Sequence, residues 1–286
     1  MSILDVKKDV TYCVGSFAEG LDHPECVTWG SDGYAYAGGE GGQLYRINVA
    51  ENKFEQFSQA PNFVGGMCQD GSGNLYFCTG NRVYKANSKG DISEYSSGTP
   101  RVPMVGPNYP AFDKDGNLYV TDSGEWKKDN GRIFKITPDG QTKIWSEALQ
   151  TFPNGICLSS DGSYLYVAVS LNPPRIERIP IGPTGEAGKP EIVVDMPNSV
   201  PDGLAFDSDG NLYISCYRPD SIFRLDPGGA LEVLVHDYEG TLIAAPTNIA
   251  FCGDNLDDLL SANLGRWHIS RYNLKASGLP LNYPVI

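Results

Sequence analysis

Short stretches of alternating apolar and polar residues recur along the whole chain, each beside a turn that contains glycine. The clearest copy runs from Pro201 to Ile214 and reads PDGLAFDSDGNLYI, which is two strand-like stretches around an Asp-Gly-Asn turn. Such a turn between alternating stretches is typical of a β-hairpin. The turn glycines are spaced 40, 43, 46 and 48 residues apart, at Gly33, Gly73, Gly116, Gly162 and Gly210. This spacing indicates a repeated structural unit.

Further strands follow each hairpin. A third alternating stretch is present in most copies, and a fourth, more polar one is seen at Leu231 to Val235. Four strands in about 40–50 residues form one blade of a β-propeller. A sixth copy begins near Asn248, although its turn has no aligned glycine. We therefore predict an all-β fold, a single six-bladed β-propeller domain of four-stranded blades over residues 1–286. Thr11 to Val14 has no blade of its own, and we expect it to supply the missing outer strand and close the ring.

One position in the repeat differs from blade to blade. It lies eight residues before the turn glycine, where a propeller places the start of each innermost strand around one end of its central channel. The six residues there are Glu25, Gly65, Asn108, Asn154, Asp202 and, by pattern, Asn248. A single Asn or Asp beside Pro or Gly is normally a turn residue. Oxygen side chains on five blades in one register instead favour a site for a hard divalent cation, which prefers oxygen ligands.

Composition and charge narrow the choice of partners. The formal net charge of −13 argues against nucleic acid, which needs clustered Lys and Arg. No apolar run approaches the roughly 20 residues of a membrane helix, and Met1 to Val10 lacks the apolar segment of a secretory signal. We expect a cytoplasmic protein without a membrane partner, as a monomer or a small homo-oligomer. The seven cysteines have no metal-site spacing, and we expect them to be reduced and largely buried.

We call these six positions around the channel the ring positions. The residues at and beside them resemble those of the SMP-30/gluconolactonase family, which is similar in outline to the diisopropylfluorophosphatases and paraoxonases. The resemblance extends from about Gly20 to Asn273 and rests on Pro24-Glu25, Asn108, Pro153-Asn154-Gly155, Pro201-Asp202-Gly203 and Leu264 to Ile269. It implies a six-bladed propeller with one divalent metal near the top of the channel. By position, Glu25, Asn154 and Asp202 match metal ligands. Asn108 matches a residue that completes the metal shell or contacts the substrate, and Asp202 matches the catalytic acid/base.

The function that follows is a lactonase, a gluconolactonase-like carboxylic ester hydrolase of carbohydrate metabolism. A metal-activated water would open a sugar lactone, with Asp202 as general base. Gly106 stands where animal members of the family have a substrate-binding arginine, although an arginine lies in the same loop. The further residues expected to contact the substrate are Asn248, Arg101, Tyr109, Trp126 and His268.

Several alternatives stay open at this point. The same ring would serve a hydrolase of other esters or of phosphotriesters. A non-catalytic binding propeller with a structural metal is a second alternative, although it would not need oxygen ligands on five blades. A strictosidine-synthase-like condensing enzyme shares the shape but does not require the ring. Calcium is the expected metal, magnesium and manganese remain possible, and zinc is least expected because it prefers His and Cys ligands.

Overall fold

A computed structural model describes residues 10–286 of the chain, with side chains from Phe17 onward. All the regular secondary-structure elements in this range are β-strands. The first is β1 (Val10–Phe17), which precedes the repeats. No helix among the described residues is long and apolar enough to cross a membrane.

The remaining strands form the blades in chain order. Blades 1 and 2 consist of β2 (Cys26–Trp29), β3 (Ala35–Gly38), β4 (Gln43–Asn48), β5 (Lys53–Gln59), β6 (Val64–Gln69), β7 (Leu75–Thr79), β8 (Arg82–Ala86) and β9 (Ile92–Ser96). Blades 3 and 4 consist of β10 (Pro107–Phe112), β11 (Leu118–Asp122), β12 (Arg132–Ile136), β13 (Thr142–Ser146), β14 (Pro153–Leu158), β15 (Tyr164–Val169), β16 (Arg175–Pro180) and β17 (Glu191–Asp195). Blades 5 and 6 consist of β18 (Val200–Phe206), β19 (Leu212–Arg218), β20 (Ser221–Leu225), β21 (Leu231–His236), β22 (Pro246–Cys252), β23 (Asp258–Asn263) and β24 (Ile269–Leu274).

The blades form a closed ring, which confirms the predicted six-bladed propeller. Each blade is a four-stranded antiparallel sheet, and in blade 6 the order is β22, β23, β24, β1. The N-terminal strand is therefore the outer strand of the last blade, paired antiparallel with β24, as expected. The innermost strands contact one another around the axis, and β22 closes the circle against β2. The apolar core lies between neighbouring blades, where for example Ala168 and Ile176 of blade 4 pack with Ile214 of blade 5.

The glycine-containing hairpin turns mark one end of the channel, which we call the lower end; the ring positions face the other, upper end. Two residue types determine the shape of these turns. The five turn glycines have φ between 70° and 86°, a region that side chains with a Cβ rarely adopt. An aspartate before the turn closes it: Asp207 accepts hydrogen bonds from the backbone N–H groups of Asp209 and Asn211 and from the Asn211 side chain. Asp70 and Asp113 make the same contacts in blades 2 and 3. These aspartates belong to the fold.

The C-terminal segment after β24 crosses the lower face of the ring. The Leu279 N–H donates to the Phe206 carbonyl of blade 5, and the Asn282 side chain donates to the Phe112 carbonyl of blade 3. The Tyr283 hydroxyl donates to the Trp29 carbonyl of blade 1 at 2.9 Å. The sequence pattern did not predict this role, because the segment is rich in Pro and Gly and has no strand periodicity.

Candidate metal and active site

A β-bulge lies at the predicted ring position in five of the six blades. In blade 4, Pro153 pairs with Val169 and Ile156 pairs with Val167, so the innermost strand has one residue more than its partner. The innermost strands of blades 2, 3, 5 and 6 have the same irregularity. A bulge bends a strand and re-aims the side chains within it. Glu25 of blade 1 instead lies just before β2, where its N–H donates to the Gly38 carbonyl.

The glycine that follows the ring residue lets neighbouring innermost strands approach closely. A Cβ on Gly155 would lie 2.2 Å from the carbonyl oxygen of Asp202 in the next blade. A Cβ on Gly203 would likewise lie 2.6 Å from the Thr247 carbonyl oxygen. The Asn-Gly and Asp-Gly pairs therefore serve packing between blades at the ring, where a side chain does not fit.

Side-chain hydroxyl groups link several neighbouring blades at the level of the ring. Thr121 Oγ1 donates to the Asn154 carbonyl at 2.7 Å, and Ser215 Oγ donates to the Thr247 carbonyl at 2.6 Å. At the seam between the last and first blades, Thr247 Oγ1 donates to the Glu25 carbonyl. The backbone that carries the ring residues is therefore held from both sides.

The asparagine side chains in the ring have fixed amide orientations. Asn154 Nδ2 lies 3.3 Å from Ser170 Oγ, and the single Ser170 hydroxyl proton goes to the Pro201 carbonyl at 2.7 Å. Ser170 can then only accept from Asn154, so the nitrogen faces Ser170 and the Asn154 Oδ1 acceptor faces away. Asn108 is held in the same way by Ser123, whose proton goes to the Pro153 carbonyl.

Four ring residues have a buried oxygen without a hydrogen-bond partner among the described residues. They are Glu25 Oε2, Asn154 Oδ1, Asp202 Oδ1 and Asn248 Oδ1, on blades 1, 4, 5 and 6. The four residues are between 0% and 7% exposed. A buried polar atom is nearly always satisfied, so four unsatisfied acceptors at equivalent positions call for a common partner that brings positive charge or protons.

The electrostatics show how strongly these groups are desolvated. Burial raises the pKa of Asp202 well above its ordinary value, with the neighbouring Asn154 side chain opposing the shift. Burial also raises the pKa of Glu25, and the Asp202 charge raises it further. Glu25, Asn154 and Asp202 are thus close enough to act on one another. Two buried carboxylates with no cation beside them are unfavourable as charged groups.

The donor set fits a divalent cation. Ca²⁺ takes six to eight oxygen ligands from carboxylates, amide carbonyls and water. The unsatisfied atoms are two carboxylate oxygens and two amide oxygens, and no other ligand type is among them. A cation there would satisfy the acceptors and favour the charged carboxylates.

The structure places the other predicted residues at different levels. Asn108 is half-buried in the bulge of β10. Tyr109, the next residue, extends into the channel, where burial raises the pKa of its phenol. Tyr109 also lines the cavity below the ring, which makes it a floor to the ring.

Trp126, Arg101 and His268 are not among the ring residues that have an unsatisfied oxygen. Trp126 is 61% exposed and packs edge-on against Phe152, two residues before Asn154, at a ring-centre distance of 5.1 Å. Arg101 is exposed in the loop between β9 and β10. His268 is buried, and its Nε2 lies 3.1 Å from the Leu242 carbonyl. Trp126 is therefore beside the ring, and His268 is held within blade 6.

A cavity of about 470 Å³ occupies the lower part of the channel. Its walls include Met67, Ile156 and Leu204 from the innermost strands, and the C-terminal Leu279 to Tyr283 closes it from below. The four unsatisfied oxygens are not among its lining residues. The four oxygens therefore lie above this cavity, toward the other end of the channel.

A second group of possible ligands lies among the upper loops. His23 Nδ1 lies 3.1 Å from Asp22 Oδ1 and 3.2 Å from Glu40 Oε2. In contrast to the ring, this cluster is internally satisfied: Asp22 Oδ2 accepts from the Gly41 N–H and from the Gln43 side chain. Glu40 is largely exposed.

Sequence reasoning missed the groups that hold the ring in place. The bulges, the serine and threonine hydroxyls between blades and the tight approach at Gly155 and Gly203 all come from contacts between separate repeats. A signal was present, since Ser123 and Ser170 both follow the end of a second strand, but their partners become visible only in the assembled ring.

Comparison with known proteins agrees with this architecture. The SMP-30/gluconolactonase/LRE-like region matches residues 23–262. A lactonase drp35 of Staphylococcus saprophyticus is 25% identical over 213 residues, which are 66% of this chain and 62% of that protein. A gluconolactonase structure from Xanthomonas campestris superposes with a TM-score of 0.78 at 16% identity, covering 93% of this chain and 98% of the other. A calcium-binding protein, regucalcin, from Agrobacterium tumefaciens gives 0.77 at 18% identity, covering 96% and 97%.

The fold and the oxygen ring define a six-bladed propeller with a candidate divalent-cation site on its axis. The family match spans most of the chain. The chain belongs to the SMP-30/gluconolactonase/LRE-like family, as the resemblance of its ring positions indicated.

Proposed function

We propose that this protein is a divalent-metal-dependent lactonase that hydrolyses a sugar lactone at the upper end of its channel. Glu25, Asn154 and Asp202 would hold the metal, with calcium the first candidate. The observation that carries the proposal is the set of buried, unsatisfied oxygens at equivalent positions of separate blades. The family supports a lactonase-type activity, and a related protein is named a lactonase. The calcium-binding neighbour supports the choice of calcium.

The ring residues divide the work of hydrolysis between binding and proton transfer. When bound, the metal supplies a Lewis acid that stabilises negative charge developing on the lactone carbonyl oxygen. Asp202 Oδ1 is an unsatisfied acceptor that would face the metal, and we assign the other oxygen of the same carboxylate to take the proton from the attacking water. Burial raises the pKa of this carboxyl, which brings it nearer to the range where a general base is efficient.

The surroundings would orient the substrate. Asn108 is half-buried and has its Nδ2 held by Ser123 at 3.1 Å, so its Oδ1 is available to a hydroxyl of the sugar. Trp126 and Phe152 offer an apolar wall beside Asn154, and Tyr109 forms the floor below. A lactone has one polar edge and one apolar ring face, which suits such a lining.

A hydrolysis screen tests the proposal. The release of acid from several aldonolactones is followed with a pH indicator, with added Ca²⁺, Mg²⁺ or Mn²⁺ and with a chelator. We expect turnover of at least one lactone that the chelator abolishes and a divalent metal restores. A phosphotriester and a simple aryl ester run beside the lactones. Turnover of these alone would replace the lactone as substrate, and no turnover with any metal would contradict the enzymatic proposal.

A further inference from the structure

Asn248 is the most buried of the four residues that have an unsatisfied oxygen. It lies in the bulge of β22 and is 0% exposed, whereas Asn108 at the equivalent position of blade 3 is half-buried. The two asparagines therefore meet different partners. A substrate that enters from solvent can reach Asn108. Asn248 has no exposed surface, so its partner has to be bound inside the ring.

The orientation of the Asn248 amide follows from its neighbour. Asn248 Nδ2 donates to the backbone carbonyl of Glu25 at 3.1 Å. The reverse orientation would bring two acceptor oxygens together, so the nitrogen must face Glu25. Asn248 Oδ1 is then turned away from Glu25 and has no partner among the described residues.

The chemistry of the four atoms selects the partner. Glu25 Oε2, Asn154 Oδ1, Asp202 Oδ1 and Asn248 Oδ1 are acceptors when the carboxyls are ionised. Acceptors cannot satisfy one another, and a sugar hydroxyl donates only one proton. A cation interacts with all of them at once, and amide oxygens are ordinary ligands for Ca²⁺.

We infer that Asn248 Oδ1 is a ligand in the metal shell, and that Asn108 contacts the substrate. The shell would then take oxygens from blades 1, 4, 5 and 6 and leave blades 2 and 3 open to the lactone. Gly65 at the ring position of blade 2 fits this division, since it has no side chain. The inference rests on the proposed metal site and adds a ligand to it.

Asn248 also holds Glu25 in place at the seam between the first and last blades. A test has to distinguish this structural role from metal ligation. Both Asn248 Nδ2 and Thr247 Oγ1 donate to the Glu25 carbonyl. Loss of Asn248 could weaken metal binding by releasing Glu25. Thr247→Val removes the other donor and leaves the Asn248 oxygen in place, so it is the matched control for this effect.

Terbium luminescence provides a readout that does not depend on activity. Tb³⁺ replaces Ca²⁺ in oxygen sites, and its lifetimes in H₂O and D₂O count the bound waters. In Asn248→Ala we expect about one additional bound water and a roughly tenfold weaker affinity, because water takes the vacated ligand position. We expect the water count of the wild type for Thr247→Val and Asn108→Ala. If Asn248→Ala does not fold, Asn248→Ser, which lacks the carbonyl oxygen, replaces it.

The outcomes separate the two proposals. An unchanged water count in the Asn248 variant, with normal Tb³⁺ binding by the wild type, would overturn the role of Asn248 and leave the proposed function intact. An additional water in Asn108→Ala but not in the Asn248 variant would also overturn it. If the wild type binds neither Tb³⁺ nor Ca²⁺, both proposals fall.

Discussion

Two aspartates five residues apart on one strand and its turn have opposite environments. Asp202 at the top of β18 is 4% exposed, and Asp207 at the bottom is 2% exposed. Asp207 accepts hydrogen bonds from two backbone N–H groups, the Asn211 side chain and the Tyr213 hydroxyl. Asp202 Oδ1 has no partner among the described residues. The two carboxylates are almost equally buried, but they differ in the number of hydrogen-bond donors that surround them.

The difference distinguishes a carboxylate that serves the fold from one that serves a site. A buried charge is costly unless it is paired or hydrogen-bonded. The fold supplies those bonds at the lower turns. At the upper ring four acceptor atoms have no donor among the residues that the structure describes, and in our proposal a bound cation offsets this cost.

Replacement of Asp202 has the largest expected effect. Asp202→Asn keeps the size and one oxygen but removes the base, so we expect turnover at saturating metal to fall by roughly 10²–10⁴-fold. Stability without metal should be unchanged or higher, because a buried charge is removed. The indicator assay and thermal unfolding measure the two effects, and undiminished turnover would exclude Asp202 as the base.

The matched replacement at the other end of the strand should do the reverse. Asp207→Asn places an amide NH₂ among donors, and we expect a loss of about 1–3 kcal/mol in the free energy of unfolding. Turnover of the folded variant should stay near that of the wild type. A large loss of turnover in a stable Asp207→Asn protein would break the distinction between the two aspartates.

The dependence of stability on pH should change sign when metal is removed. Burial raises the pKa of Glu25 and Asp202 above their ordinary values of 4.5 and 3.8. Groups with a raised folded pKa stabilise the fold fully below the unfolded pKa, and this stability is lost as the pH rises through the folded pKa. With chelator, the unfolding temperature should therefore fall as the pH rises above about 4.5.

With calcium the trend should reverse over the same interval. The cation binds the deprotonated carboxylates, so the calcium-induced rise in unfolding temperature should grow with pH. The gain would be about 2.7 kcal/mol at a hundredfold excess of calcium over its dissociation constant. A calcium effect of the same size at every pH would count against binding to these two carboxyls.

A methyl group on Gly155 tests the close approach of blades 4 and 5. Gly155→Ala would place a Cβ 2.2 Å from the Asp202 carbonyl oxygen, and we expect a loss of roughly 1–3 kcal/mol together with weaker calcium binding. Gly162→Ala is the control: its φ is +70° and nothing lies within 4 Å of the added Cβ. It should cost about 1–2 kcal/mol and leave calcium affinity unchanged. Equal calcium affinity in both variants would contradict the role assigned to Gly155.

The smallest expected effect is at the upper rim. Trp126 packs only against Phe152 among the aromatic residues described and is mostly exposed. We expect Trp126→Ala to raise KM by a few-fold, consistent with the roughly 1 kcal/mol of an aromatic contact. Calcium affinity should not change. If KM is unaffected for every lactone that the wild type turns over, Trp126 is not part of the substrate wall.

The sequence predicted the fold because most repeats carry their own signals. The glycine turns and the strand alternation are local, and the outer strand β1 followed from counting strands. The same register located the ring residues, because equivalent positions of a propeller converge on its axis.

Contacts between repeats were beyond the sequence. Asp207 is satisfied by donors from its own turn and hairpin, whereas the lack of a donor at Asp202 Oδ1 depends on which residues of the neighbouring blades fold against it. The expectation for His268 did not foresee its bond to the Leu242 carbonyl, since that partner is 26 residues away in the chain. The roles of the predicted substrate residues remain predictions for the assays above.

The most direct test of the central claim is a crystal structure with Mn²⁺, located by its anomalous scattering. The account predicts one strong peak on the channel axis within bonding distance of Glu25 Oε2, Asn154 Oδ1 and Asp202 Oδ1. A peak at the Asp22, His23 and Glu40 cluster with none in the ring would contradict it.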